Sequence, residues 1–238
     1  MKFYKLTNIG LVRKVNEDAL LAEEELGLFG VADGMGGHQA GEVASSLAVH
    51  ALVEYYMEHR AGKQGEEQAV LQAAVEDANR RVYTQAEHQS HFKGMGTTIT
   101  VGLFQGCKLQ VAHVGDSRAY LLRGDSFTQL TTDHSLVFEL VQNGGISEEE
   151  AFQHPQRNVL TRALGTAREV ETDFQELELA TGDRLLFCTD GLSGLLREEE
   201  IKDILQQGQL QKVGADLLAQ ALEKGGTDNI SLVLVDVD

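Results

Sequence analysis

The order of apolar and polar residues along the chain predicts a mixture of strands and helices. An apolar run over residues 26–32 ends at Asp33 and Gly34, which is typical of a buried strand that leads into a turn. Two long segments, about 39–59 and 66–88, repeat apolar residues at helical spacing. That spacing predicts a pair of amphipathic helices after the first buried strand.

The rest of the chain groups its predicted strands and helices into blocks. Apolar runs separated by glycine-containing turns predict strands at 97–104, 108–114, 118–123, 127–130, 170–179, 184–189 and 230–235. Helical patterns fall at 133–143, 147–152, 198–206 and 209–223. Because strands cluster and helices come in pairs, with little β-α-β alternation, the pattern favours a layered α+β domain over a doubly wound parallel sheet.

Composition narrows the class of protein. The chain has 238 residues, a single proline and no linker-like tract, so we expect one domain spanning residues 1–238. It has no apolar run long enough to cross a membrane and no signal peptide, which predicts a cytoplasmic protein. A formal net charge of −17 argues against nucleic-acid binding and is compatible with binding of cations.

The two cysteines, Cys107 and Cys188, suggest neither a disulfide framework nor a zinc cluster. A cysteine phosphatase needs an arginine shortly after its cysteine, but Cys188 is followed by Thr-Asp-Gly-Leu-Ser-Gly. We therefore interpret both cysteines as small core residues.

The candidate chemistry lies in four acidic turns, each of which adjoins an apolar run and a glycine. Their carboxylates are Asp33, Asp116, Asp190 and Asp228. A rigid strand end aims a carboxylate well, and a neighbouring glycine lets a backbone carbonyl come close as a further oxygen ligand. Mg²⁺ and Mn²⁺ prefer such oxygen ligands, and two ions about 3.5–4 Å apart can activate water and clamp a phosphate. Since Asp-Gly is also a common turn dipeptide, spacing alone leaves open four ordinary turns.

An ordered set of motifs, nearly from end to end, resembles the metal-dependent Ser/Thr protein phosphatases (PPM family, type 2C phosphatases) of bacterial type. The motifs are Arg13-x-x-Asn16-Glu17-Asp18, Val31-Ala-Asp33-Gly34-Met-Gly36-Gly37, Gly41-Glu42, Gly96-Thr97-Thr98, His113-Val-Gly115-Asp116-Ser117-Arg118, Leu130-Thr-x-Asp133-His134-Ser135, Leu160-Thr161-Arg162-Ala163-Leu164-Gly165, Asp190-Gly191-Leu192-Ser193 and Gly226-Thr227-Asp228-Asn229.

The resemblance implies both a fold and a reaction. The implied fold is a four-layer α-β-β-α sandwich of two mainly antiparallel sheets flanked by helix pairs, with a mobile flap at about 144–160. The implied reaction is metal-dependent hydrolysis of phosphoserine and phosphothreonine in proteins. A metal-bridged hydroxide would attack phosphorus in line, without a phospho-enzyme. The implied partners are phosphoproteins, including a Ser/Thr protein kinase that the enzyme counteracts, and we expect a monomer.

The resemblance also implies a metal centre of Mn²⁺ or Mg²⁺, with two ions in the core. Asp33 would bridge the two ions, the Gly34 carbonyl would bind one of them, and Asp190 and Asp228 would bind the other. Bacterial relatives often hold a third, weaker ion, for which Asp116 together with Asp190 would be the ligands here.

The residues around this centre have implied roles as well. Glu17 and Asp18 would orient metal-bound waters, and Asn229 would support the metal-binding residues from outside. Arg13 would contact the substrate phosphate, because its planar guanidinium can bind two phosphate oxygens.

One position departs from the animal members of the family. Those relatives carry a histidine directly after the Asp-Gly pair, proposed as a general acid, whereas this chain has Met35. A water on a third metal and His38 are the two candidates for the proton donor. Of the other histidines, His113 reads as a packed residue of a strand and His134 as a cap at a helix start.

Three other functions remain open at this point. The chain could be a pseudophosphatase that binds without chemistry, although all the metal-site aspartates are present. It could be a metal-dependent hydrolase of small phosphate esters. An acidic Ca²⁺ buffer is disfavoured, because the sequence has no EF-hand pattern.

Overall fold

The computed structural model describes residues 1–36, 40–61 and 65–238. The strands are β1 (Lys2–Asn8), β2 (Asp18–Glu23), β3 (Leu28–Met35), β4 (Gly96–Thr97), β5 (Ile99–Gln105), β6 (Lys108–Val114), β7 (Arg118–Arg123), β8 (Ser126–Gln129), β9 (Asp173–Glu178), β10 (Arg184–Cys188) and β11 (Ile230–Asp236). The helices are α1 (Ala40–His59), α2 (Glu67–His88), α3 (Leu136–Gln142), α4 (Glu148–Phe152), α5 (Asp190–Ser193), α6 (Glu198–Leu205) and α7 (Leu210–Glu223).

The strands form two antiparallel sheets. In the first sheet the strand order is β1-β11-β10-β7-β8. In the second the order is β2-β3-β5-β6-β9, and the short β4 pairs with β3. This architecture confirms the expected pair of mainly antiparallel sheets.

Three apolar cores hold four layers together. One core lies between the second sheet and the helices α1 and α2, and another lies between the first sheet and the helices α5, α6 and α7. The third core, between the two sheets, includes Phe29, Val31, Leu109, Phe187 and Val233. The layer order is therefore α-β-β-α, as the sequence resemblance implied.

Strand β10 shows why the strands of the two inner layers are apolar on both faces. Leu185 and Phe187 point into the core between the sheets, whereas Leu186 and Cys188 point to the core under the helices. Successive side chains of a strand face opposite sides, so a strand in an inner layer is buried on both faces. An almost continuous apolar run followed by a polar turn is the result.

The structure adds to and corrects the sequence-based elements. The strands β1 and β2 were not predicted, since the side chains of both are mostly half-buried or exposed and their apolar signal is weak. Cys188 is buried as expected, but the prediction for Cys107 was wrong, because Cys107 lies exposed at the turn between β5 and β6.

His134 does not cap a helix, contrary to the expectation. The N-cap of α3 is Ser135, whose hydroxyl accepts a hydrogen bond from the Phe138 amide at 3.3 Å. His134 instead lies 7% exposed, with its ring on the Gly115 turn. His113 is a packed residue of β6, as predicted.

Among the helices of the described residues, none combines the length and the apolar character that crossing a membrane requires.

Candidate active site

The antiparallel layers bring the four predicted acidic turns to one end of the sandwich. Asp33 lies near the end of β3, opposite Asp18 at the start of β2. Asp190 follows β10 and begins α5, and Asp228 precedes the neighbouring strand β11. Asp116 follows β6 and leads into β7, which pairs with β10. The two sheets thus contribute carboxylates to one site, although the residues are far apart in the chain.

Glycines allow the backbone segments that carry these carboxylates to touch. A Cβ atom on Gly191 would lie 1.8 Å from the carbonyl oxygen of Asn229. A Cβ atom on Gly34 would lie 2.1 Å from the Gly41 oxygen and 2.5 Å from the Glu17 oxygen. Any side chain at these two positions would push the acidic turns apart, so glycine is required by close approach.

Asp33 and Asp190 meet across the two sheets. Their carboxyl groups lie close enough for Asp33 to influence the pKa of Asp190 directly. Burial raises the pKa of Asp33 well above its usual value, and the neighbouring charges of Asp18, Asp190, Asp116 and Asp228 raise it further. The pKa of Asp190 rises to about 6, first because of burial and then because of Asp228.

Asp116 and Asp18 extend the acidic cluster on either side. Burial raises the pKa of Asp116 well above its usual value, and Asp190 is the next cause. Burial likewise raises the pKa of Asp18 to about 7. The Thr189 hydroxyl donates to Asp18 Oδ2 at 3.0 Å, whereas Asp18 Oδ1 is buried and has no hydrogen-bond partner among the described residues.

Arg13 lies on the acidic cluster. Its Nη2 atom is 2.6 Å from Asp228 Oδ2, and its side chain is 45% exposed. Burial lowers the pKa of Arg13, but the charge and hydrogen bond of Asp228 outweigh that effect and raise it overall. The guanidinium therefore carries a permanent positive charge beside the carboxylates, with part of its surface open to solvent.

Asn229 attaches the loop of Arg13 to the turn of Asp228. Its side-chain amide donates to the carbonyls of Ile9 and Val15, each at 3.0 Å. Its side-chain oxygen accepts from the Glu17 amide at 2.8 Å. These bonds join the segment around Arg13 to the turn that carries Asp228.

Glu17 lies close to Asp33, against the N-terminal part of helix α1. Its Oε1 atom accepts from the Gly41 amide at 3.2 Å, and its backbone carbonyl accepts from the Ser45 hydroxyl at 2.6 Å. Burial raises the pKa of Glu17, partly offset by the bond from Gly41. Glu17 is thus held by the N-terminal part of α1, next to Gly34.

The donor set fits hard divalent cations. All the gathered groups are carboxylates or backbone carbonyls, which Mn²⁺ and Mg²⁺ prefer. The unpartnered Asp18 Oδ1 and the raised pKa values of the buried carboxyls indicate a site that lacks enough positive charge of its own. Within the described residues, no three acidic, histidine or cysteine side chains are placed so as to hold one ion together.

A cavity of about 600 Å³ opens from this cluster. Asp116, Asp190 and Asp228 line its inner part, and the segment that contains α3 and α4 forms one wall. The opposite wall is formed by α5 and the start of α6. The cavity therefore connects the carboxylates to the segment 144–160 that was predicted as a flap.

Two functional candidates were not found by sequence reasoning. Arg157 lines the cavity, and its positive charge lowers the pKa of Asp190 against the larger effect of burial. Thr189 links Asp18 to β11 by accepting from the Ser231 amide at 3.1 Å. Neither residue has a local sequence signal, because an isolated arginine or threonine in a loop is common.

Met35 stands where animal relatives carry the histidine that is proposed as their proton donor. Met35 ends β3, where its methyl group packs against Gly96, and a thioether has no proton to give. His38, one of the two candidates for the proton donor, lies outside the described residues.

Comparisons with known proteins agree with this geometry. A family model described as protein phosphatase 2C matches residues 12–227. The serine/threonine phosphatase stp of Listeria innocua is 40% identical over 235 residues, which cover 97% of this chain and 93% of that protein. PstP of Mycobacterium tuberculosis is 42% identical over 237 residues, which cover 100% of this chain and 45% of PstP. The chain thus spans about half of the length of PstP.

Solved structures share the whole fold. The crystal structure of the Mycobacterium tuberculosis serine/threonine phosphatase PstP/Ppp has a TM-score of 0.92 at 41% identity, covering 100% of this chain and 98% of that one. The catalytic domain of PstP in complex with two manganese ions has a TM-score of 0.89 at 40% identity, with the same coverage. On the family match and on identity along its whole length, the chain belongs to the protein phosphatase 2C family.

Proposed function

We propose that this protein hydrolyses phosphoserine and phosphothreonine in proteins and requires Mn²⁺ or Mg²⁺. The observation that carries the proposal is the convergence of Asp33, Asp190 and Asp228 beside Arg13 at one end of the sandwich. Names of relatives support the substrate class, and the PstP complex with two manganese ions supports the metal. The substrate class and the metal are properties of those relatives, and for this chain both are proposals.

The acidic residues of the chain would hold the metal centre. Asp33 is placed between the other carboxylates, which suits it to bridge two ions, with the Gly34 carbonyl beside it. Asp190 and Asp228 would complete the core, and Asp116 with Asp190 would take a third ion. When bound, the ions supply a water of lowered pKa and positive charge against the phosphate oxygens.

Arg13 would bind and orient the phosphate. Its guanidinium is held at the cluster by Asp228, yet it remains partly exposed toward the solvent. A phosphate group that carries negative charge can replace Asp228 as its partner, since charge-assisted hydrogen bonds to phosphate are strong. Arg13 would thereby neutralise charge on the equatorial oxygens, where catalysis of phosphoryl transfer acts. Glu17 and Asp18 would orient waters around the centre.

The cavity beside the carboxylates would receive the polypeptide on one side of the phosphorylated residue. Its flap wall is weakly attached, because α4 buries none of its residues. Arg197 of the opposite wall donates to both oxygens of Glu149, at 2.7 and 2.8 Å, and its guanidinium lies 4.9 Å from the ring centre of Phe152. We take this arginine as the contact that sets the position of the flap.

Three finer expectations come from the family and stay predictions. They are a Ser/Thr protein kinase among the partners, action as a monomer and location in the cytoplasm.

The first prediction concerns metal-dependent activity. The protein should release phosphate from phosphothreonine peptides with Mn²⁺ or Mg²⁺, and EDTA should abolish the release. Asp33→Asn should lower kcat at least about a hundredfold, because the centre loses its bridging carboxylate. Asp203→Asn, which removes an exposed carboxylate on α6, is the matched control and should leave kcat unchanged.

Two outcomes would contradict this proposal. Asp33→Asn turning over phosphopeptide as fast as the unaltered protein would remove the metal role of Asp33. Hydrolysis of p-nitrophenyl phosphate together with refusal of every phosphopeptide would identify a phosphatase of small esters.

The second prediction concerns the phosphate site. Arg13→Ala should raise KM for a phosphopeptide about tenfold at saturating Mn²⁺, because a charge-assisted hydrogen bond to the phosphate is lost. Lys14→Ala removes the neighbouring exposed charge and should change KM little. Steady-state kinetics of both variants check this, and an unchanged KM for Arg13→Ala would take Arg13 out of the phosphate site.

The third prediction concerns the flap. Glu149→Gln weakens the contact with Arg197, so a peptide substrate must order the flap when it binds. We expect KM for a phosphopeptide to rise about two- to fivefold, the range of an exposed ion pair, and KM for p-nitrophenyl phosphate to stay constant. Glu139→Gln is the matched control, since Glu139 is an exposed acid of the neighbouring helix α3 that does not line the cavity and makes no ion pair with any described residue. Equal effects of the two variants would argue against the role of Arg197.

The fourth prediction concerns how much the buried charge of Asp190 lowers the free energy of unfolding. Asp190 has its pKa raised to about 6 in the folded protein, against about 4 for an unfolded aspartate. The folded state therefore binds the proton more tightly, and this contribution to stability is lost as pH rises from about 4 through 6. In EDTA at pH 8, Asp190→Asn should be more stable than the unaltered protein by up to about 3 kcal/mol, with the difference vanishing near pH 4.

Urea unfolding at the two pH values measures this difference. Saturating Mn²⁺ should reverse the order at pH 8, because the unaltered protein gains more from binding the ion. A variant that is less stable than the unaltered protein in EDTA at pH 8 would show that Asp190 is not destabilising.

A further inference from the structure

Thr98 lies between the turn that carries Asp33 and the turn that carries Asp116. It is 1% exposed and connects β4 to β5, directly behind the end of β3. Its backbone amide donates to the Asp33 carbonyl at 2.9 Å, and its hydroxyl accepts from the Asp33 amide at 2.8 Å. Thr98 thus holds both backbone polar groups of Asp33.

The same hydroxyl reaches the turn of Asp116. Thr98 Oγ1 lies 2.7 Å from the hydroxyl of Ser117, which is fully buried and follows Asp116 in the chain. An amide can only donate, so the bond from Asp33 uses an acceptor site of Thr98 Oγ1. The proton of the Thr98 hydroxyl is therefore available for Ser117 Oγ. One hydroxyl joins the backbone of Asp33 to the neighbour of Asp116.

The methyl group of Thr98 makes a second contact with the Asp116 turn. A Cβ atom built on Gly115 would lie 2.5 Å from Thr98 Cγ2, so the methyl packs directly on this glycine. Gly115 has a φ of +114°, which only glycine adopts readily. Thr98 therefore supports the Asp116 turn both by a hydrogen bond and by packing.

Among the described residues, the Thr98 hydroxyl is the side-chain group that accepts from the Asp33 amide. The site is buried, so water cannot readily replace the hydroxyl, and an unpaired buried amide is costly. Thr97 binds the Asp33 carbonyl through its own hydroxyl at 2.8 Å, but it does not reach the Asp33 amide. The link between the two acidic turns depends on the Thr98 hydroxyl.

We propose that Thr98 is a positioning residue that fixes the spacing of Asp33 and Asp116 for metal binding. Thr98 touches no carboxylate, so it acts through the backbone of its neighbours. The inference rests on the proposed function, since it takes these two aspartates as metal ligands.

Isothermal titration calorimetry with Mn²⁺ tests the proposal directly. Thr98→Val keeps the shape and the branched side chain but removes the hydroxyl, and it should weaken Mn²⁺ binding about 10- to 100-fold, the range for residues that orient metal ligands. Thr98→Ser restores the hydroxyl and should bind Mn²⁺ within about threefold of the unaltered protein.

The chain offers a matched control for the loss of a buried hydroxyl. The Thr172 hydroxyl is buried and has no hydrogen-bond partner in the structure, so Thr172→Val should leave the Mn²⁺ affinity unchanged. Urea unfolding in EDTA confirms that each variant is folded. If Thr98→Val does not fold, Ser117→Ala carries the test, because it removes only the far end of the link and should weaken binding about threefold or more.

The outcomes separate this inference from the proposed function. An unaltered protein that binds no Mn²⁺ would contradict the proposed function itself. Binding by the unaltered protein together with equal affinity in Thr98→Val, or in Ser117→Ala where that variant is used, would overturn the positioning role alone. A change in unfolding free energy without a change in affinity would assign Thr98 a structural role only.

Discussion

Repulsion among carboxylates at one end of the sandwich is the constraint around which the site is built. Asp18, Asp33, Asp116 and Asp190 all have raised pKa values, and burial is the first cause in each case. Arg13 and Arg157 supply positive charge nearby, which only partly offsets the acids. Such an arrangement is costly for a folded protein, and it persists where function requires it.

The opposite end of the first sheet shows what a fully compensated arrangement looks like. Arg184, at the start of β10, forms a two-fold contact with Asp236, at the end of β11. Arg123 does the same with the buried Asp183. In both pairs the carboxylate has an arginine of its own. In the acidic cluster, by contrast, several carboxylates share Arg13 and Arg157. Both arrangements occur in the same sheet, so the contrast reflects the site rather than the fold.

The layered core supplies the rigidity that such a cluster needs. Strands buried on both faces end in the acidic turns, and glycines such as Gly34 and Gly191 let those turns touch. The cavity wall that contains α4 is packed differently, since α4 buries no residue and its Glu149 pairs with Arg197 across the cavity. The molecule thus combines carboxylates held by a packed core with a cavity wall whose helix α4 is exposed.

The sequence by itself determined the inner strands, the long helices and the aspartates at the turns, because continuous apolar runs and helical spacing are local signals. It did not predict β1 and β2, whose weakly apolar side chains carry little pattern. Only the tertiary structure decided that the carboxyl groups of Asp33 and Asp190 lie close together, that Arg13 lies on Asp228, and that Thr98 joins the Asp33 and Asp116 turns. These contacts join residues that are far apart in the chain. Strand register and close glycine contacts bring the residues together, and local spacing in the sequence does not reveal either.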